Sequence, residues 1–141
     1  MCISFILFTG FGGLQFRYHV GDASNTVSII KTNSNSVFGG FTKGLWNQTG
    51  WVNSFNTFLF SLRRNGNENN VKLLNGGTSD RSSSYSLLSG NYGPSFGYVD
   101  LLISSYSNKY ATSTSNLCYS FECPAGSGYI YTNIFWNLHN A

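Results

Sequence analysis

The chain has 141 residues and a mass of 15.6 kDa, and it is 41% hydrophobic, 17% aromatic and only 9% charged. That is the length of one domain, and the aromatic content excludes intrinsic disorder, which goes with few such residues. Eight Lys and Arg against five Asp and Glu leave a net charge of +3, but only Arg63 and Arg64 are adjacent, so the clustered basic face of a nucleic-acid binder is not expected.

In chain order, Ile3 to Phe8 is the longest apolar run. It is far shorter than the roughly 18 residues that cross a bilayer. No cation precedes it, so membrane insertion and a secretory signal are both disfavoured. Leu14 to Val20 fits either a short helix or a strand. Val27 to Lys31 and Val37 to Phe41 are rich in β-branched and aromatic residues and predict strands. In Phe58 to Arg63 the period is two, with Phe58, Phe60 and Leu62 expected to fill a core and Leu59, Ser61 and Arg63 to face away. Val71 to Leu74 predicts a further strand. Val99, Leu101 and Ile103 alternate with Asp100, Leu102 and Ser104, and Leu117, Tyr119 and Phe121 alternate with Cys118, Ser120 and Glu122. Tyr129 to Trp136 is the last candidate strand. Gly- and Asn-rich clusters at 21–25, 32–36, 65–67, 75–77 and 105–115 supply the reversals. The pattern is mainly β, an antiparallel sandwich or barrel.

Several motifs invite a chemical reading, and each has a plainer one. Gly93-Pro94-Ser95-Phe96-Gly97, followed by Asp100 and His139, matches the order of a serine-hydrolase triad. A nucleophile elbow, however, stands between a strand and a helix, and Pro94 marks a turn with a strand from Tyr98 to Ile103 after it. Cys118, Cys123, His19 and His139 are possible zinc donors at unsuitable spacing, and Cys118 also suits a small sheet residue. Gly10, Gly12 and Gly13 lack the remainder of a phosphate or dinucleotide motif. The five acids show no glycosidase pairing. Trp46 and Trp51 flank amide-bearing residues and would suit sugar stacking, or would pin a loop to the core. Arg81-Ser82-Ser83-Ser84 is a loop open to phosphorylation or simply solvated. Three cysteines, with Cys2, form an odd set, which favours a reducing compartment with free thiols.

Val37-Phe38-Gly39-Gly40-Phe41-Thr42, Phe58-Leu59-Phe60-Ser61-Leu62, and Gly93-Pro94-Ser95-Phe96-Gly97 leading into Asp100-Leu101-Leu102-Ile103-Ser104 resemble the ordered signature of the TLDc domain. Thr26 to Lys31 and Ser115 to Phe121 resemble its flanking strands, so the likeness spans residues 10–123. The resemblance implies a two-sheet antiparallel β-sandwich with a few short helices, in intracellular proteins of the oxidation-resistance group. These are associated with protection against oxidative stress and with binding and regulating the vacuolar proton-pumping ATPase. The family ordinarily has a helix and strand before the position of Gly10 and a final acidic strand, whereas 129–139 holds no acid. A shortened sandwich would bare a sheet edge and be less stable.

The resulting expectation is a single cytoplasmic domain over 1–141 that acts by protein contact, without catalytic residues, metal or cofactor. Glycines and apolar residues, which shape a fold, make up the recognisable blocks. Gly39-Gly40 is expected to permit a bulge or a close backbone approach. Arg63, Arg64 and Lys72 are the candidate contacts for an acidic partner, vacuolar ATPase subunits among them. The contrasting expectation is a secreted carbohydrate-binding sandwich that uses Trp46 and Trp51 and carries a Cys118–Cys123 bridge.

Overall fold

Short runs of β-branched and aromatic residues, broken by Asn and Gly reversals, fold into a mainly β domain. The computed structural model describes residues 4–5, 12–47, 50–52, 54, 56–76, 85–87, 92–107, 109 and 113–124. The elements in order are β1 (Ser4–Phe5), α1 (Gly13–Val20), β2 (Thr26–Lys31), β3 (Val37–Thr42), β4 (Gly50–Val52), β5 (Phe58–Arg64), β6 (Asn67–Leu74), β7 (Tyr85–Leu87), β8 (Tyr92–Phe96) and β9 (Leu101–Ser104). An antiparallel sheet has the order β2-β3-β5-β6, with β1 parallel on the other side of β2. β4 pairs with β7, and β8 with β9, each antiparallel.

Local chemistry sets the turns. Asn65 (φ 49°) and Gly66 (φ 84°) join β5 to β6 in a two-residue hairpin loop, and positive φ at both positions is what the right-handed twist of the flanking strands requires. Between β2 and β3, Asn35 N–H donates to Thr32 O at 3.0 Å and Ser36 N–H to Thr32 Oγ1 at 3.1 Å. This turn braces the hairpin tip, since Gly66 N–H reaches Asn35 O and Asn65 N–H reaches Ser36 Oγ. The ambiguous 14–20 segment is the helix α1. Its first N–H groups lack an intrahelical partner, and Gly13 N–H donates to Ser105 Oγ at 2.7 Å instead.

The core lies between one face of the sheet and the β8–β9 ribbon. Phe38, Leu59 and Leu73 meet Phe96, Leu101 and Ile103, with Phe16 and Val20 of α1 and with Leu117 and Phe121 closing the sides. The paired glycines have the close-approach role the sequence suggested. A Cβ on Gly40 would lie 2.6 Å from the Phe96 ring, and Gly39 is pressed against the Ser28 backbone. The register of β3 on β5 also shifts between Val37 and Phe38, where Leu62 of β5 is the extra residue.

Four expectations are overturned. Leu59 and Ser61 point into the core, while Phe58 and Phe60 are half-buried on the opposite face and Leu62 is exposed. The cause is register: Leu59 lies between Gly40 and Leu73, and Gly40 is the residue that receives the Phe96 ring. Second, Pro94 lies within β8 and the reversal falls at 97–100, so the ninth strand starts at Leu101 and all four of its residues are buried. Third, 117–121 is a bent segment, with one bridge from Phe121 to Asn75. Fourth, Cys118 adopts φ 78° and is bonded to Cys123, so these two are neither free thiols nor ordinary sheet residues. The strand expected at 129–136 lies outside the described residues, as do 81–84, Cys2 and His139.

Candidate functional site

The conspicuous buried ionisable group is Asp100, at the end of the 97–100 turn. Its carboxylate accepts N–H bonds from Tyr119 at 3.1 Å, from Ser120 at 3.1–3.2 Å and from Phe121 at 3.3 Å. Ser120 Oγ in return accepts Tyr98 N–H at 3.1 Å, and Asn116 N–H reaches Val99 O at 2.9 Å. Gly97 has φ 62°, and the Asp100 carboxyl occupies the place a Cβ would need. Burial pushes the Asp100 carboxyl from 3.8 up to about 6, and the amides of Ser120, Phe121 and Tyr119 act against that rise. The acid thus holds a loop, and its oxygens are occupied by backbone amides.

The hydrolase-like motif is accounted for in the same way. Ser95 is buried in β8 and its Oγ donates to Gly93 O at 3.2 Å, so the hydroxyl is turned to its own backbone. The sulfurs of Cys118 and Cys123 bind each other, with Cα atoms 4.7 Å apart, and are not thiolate donors in this state. Among the described residues no group of three or more His, Cys, Asp or Glu is placed to hold a metal ion.

Trp46 has the loop-pinning role. Only 1% exposed, it packs edge-on to Phe16 at 5.0 Å and to Phe96 at 5.7 Å, and its Nε1–H donates to Thr26 Oγ1 at 2.7 Å. Its ring face is therefore closed to a sugar. The Trp51 side chain lies outside the described residues.

Arg63, Arg64 and Lys72 are all exposed. Register separates them into two places: Arg63 and Arg64 lie opposite Glu68 and Asn67 near the hairpin tip, and Lys72 lies opposite Phe60. At about 3.4 Å per residue that is roughly 10 Å along the strand. Lys72 Nζ stands 4.2 Å from the centre of the Phe58 ring, a cation–π contact, and Phe58 stacks on Phe41 at 5.2 Å. Arg63 Nη1 donates to Asn35 Oδ1 at 3.4 Å. The sequence reading placed Phe58 and Phe60 inside and so missed that they flank Lys72 on the outer face.

The ordered glycine and aromatic blocks, now seen as one joint between sheet and ribbon, agree with the comparison to protein-family models, in which the TLDc domain matches residues 8–134. The chain belongs to the TLDc-domain family. The match extends past both ends of the 10–123 likeness read from the sequence. Among curated proteins and among solved structures, no chain matches this TLDc domain. Among the described residues, no helix is long and apolar enough to cross a membrane.

Proposed function

We propose that this TLDc domain works in the cytoplasm through protein contact and not by catalysis, in the oxidative-stress protection and vacuolar proton-pumping ATPase regulation associated with the family's oxidation-resistance group. The observation that carries the reading is how the signature residues are used. Gly40 receives the Phe96 ring, Gly97 leaves room for Asp100, and Asp100 holds the 119–121 amides. Each is spent on shape, and the exposed cations Arg63, Arg64 and Lys72 remain as contacts for an acidic partner. The reading calls for no cofactor, no nucleic acid and no membrane insertion.

Affinity capture from cell lysate with the full chain as bait tests it. Enrichment of vacuolar ATPase subunits is the expected result. Retention of glycans with no pump subunit would overturn it. Thiol labelling in intact cells checks the compartment: the Cys118–Cys123 bond of the structure is expected to be reduced in a cytoplasmic chain, because structural disulfides persist in oxidising surroundings. A secreted, fully oxidised chain would overturn the cytoplasmic placement.

A further inference from the structure

The sheet that buries Phe38, Leu59 and Leu73 on one side carries a second apolar row on the other. Cross-strand register runs Val27–Phe41–Phe58–Leu74 and, one step along, Ile29–Gly39–Phe60–Lys72. These rows alternate with the core set, so their side chains share the outer face. That face is not sealed: Ile29 is 55% exposed, Leu62 48% and Leu74 47%. Apolar surface of this kind, ringed by polar groups, marks an interaction site more often than a bare surface.

The rim is basic. Lys31 ends β2, Lys72 stands over Phe58, and Arg63 and Arg64 close the hairpin. None of the four makes an ion pair with a described residue. The acid nearest to them in register is Glu68, opposite Arg63, and its Oε1 accepts a bond from Asn70 Nδ2 at 2.5 Å. β6 is also the last strand of its sheet. Its edge is engaged at Leu74, which bonds Glu122 through both backbone groups, but no described segment pairs with that edge between Asn67 and Lys72. An edge of this kind offers amide and carbonyl groups in a row to an incoming extended chain.

We propose that the edge of β6 left unpaired by the described residues, together with the outer face beside it, docks an extended acidic segment of a partner protein in which every second residue, facing the same side as Lys72, is a carboxylate or an apolar group. The proposal rests on the protein-contact reading above and names the surface and the chemistry of the partner. Carboxylates match Lys72 and Arg63, apolar side chains match the Phe60 and Leu74 surface beside that edge, and a backbone matches the strand edge. A second copy of the chain would set Lys72 and the arginines against one another. An anionic lipid surface would satisfy the charges but would leave the edge amides without partners.

The test is selection of a random displayed peptide library on the immobilised full chain, followed by fluorescence anisotropy with the strongest peptide. Two redesigns of that peptide are measured beside it, one with carboxylates changed to amides and one with apolar residues changed to serine. Enriched sequences should carry Asp or Glu and apolar residues two positions apart, on one face of the extended chain, and both redesigns should bind at least about tenfold more weakly. The double variant R63E/K72E should stay folded, melting a little below the parent because it loses the Phe58 cation–π contact and sets a like charge opposite Glu68, and should lose about tenfold in affinity, more at low salt than at high. A variant on the far surface, Y18S, should bind as the parent does. No enrichment, peptides without carboxylates, or unchanged affinity in R63E/K72E would overturn the proposal. So would sedimentation with phosphatidylserine vesicles, sensitive to K72E, in place of peptide binding. If R63E/K72E still captures the same lysate proteins as the parent, this surface is wrong and the protein-contact reading survives. Failure of the parent chain to capture any protein overturns both.

Discussion

Asp100 gives the sharpest quantitative expectation, because a carboxyl group held at about 6 in the fold and near 3.8 when unfolded ties stability to pH. The folded state keeps its proton over the interval between those values and the unfolded state has already lost it. Stability from this group is therefore complete below 3.8 and declines as pH rises through 6. The interval is 6 − 3.8, about 2 pH units, which at 1.36 kcal/mol each is about 3 kcal/mol. Asp100→Asn removes the titration while keeping one acceptor oxygen for the 119–121 amides. Urea melts of both proteins, followed by tryptophan fluorescence, should show the parent losing about 3 kcal/mol relative to the variant between pH 3.5 and pH 7.5. Other titrating groups cancel in that difference. Parallel profiles, or a parent that gains on the variant as pH rises, would refute the reasoning and show that the three amide donors outweigh burial.

Three further expectations follow from packing and covalent structure. Gly40→Ala forces a methyl group to within 2.6 Å of the Phe96 ring and should cost about 1–3 kcal/mol in a denaturant melt, with part of the loss recovered by adding Phe96→Leu. Thr26→Val removes the Thr26 Oγ1 acceptor of the buried Trp46 indole N–H and should cost about 1–3 kcal/mol, seen as a lowered melting temperature and a shifted tryptophan emission. Reducing the Cys118–Cys123 bond, which closes a short loop, should cost about 2 kcal/mol on the chain-entropy account. Cys123→Ser should melt like the reduced parent, and an oxidised parent that gains nothing over the variant would contradict this.

How far the sequence could be read depends on where the deciding interactions lie. β2, β3, the extent of β5 and the Val71–Leu74 end of β6 were legible as strands because β-branched and aromatic residues concentrate there and Asn65-Gly66 admits one kind of turn. The inward face of β5 was not. Phe58, Leu59, Phe60 and Leu62 put apolar groups on both sides, and the choice is made by Gly40 and Phe96, which are distant in sequence. At 117–121 Leu117 and Phe121 are buried as the pattern suggests, but Ser120 is buried with them, because Asp100 draws the amides of 119–121 inward and bends the segment. Eight residues are too few to separate a helix from a strand by period at α1. In the candidate site, Lys72 and the arginines were named correctly as exposed groups, while their setting on an aromatic sheet face could not be seen with Phe58 and Phe60 assigned to the interior. Asp100 carried a clue, a lone acid between Val99 and Leu101, that asks for a buried amide acceptor as readily as for a catalytic partner.

The fit of the Phe96 ring over Gly40 makes two stretches of sequence, more than fifty positions apart, behave as lock and bolt. Neither can drift alone: a bulkier residue at one place demands a slimmer one at the other. Homologues should thus trade volume between these two positions in matched steps, and engineered chimaeras that take the halves from different parents should fold only when the exchanged pieces preserve that pairing.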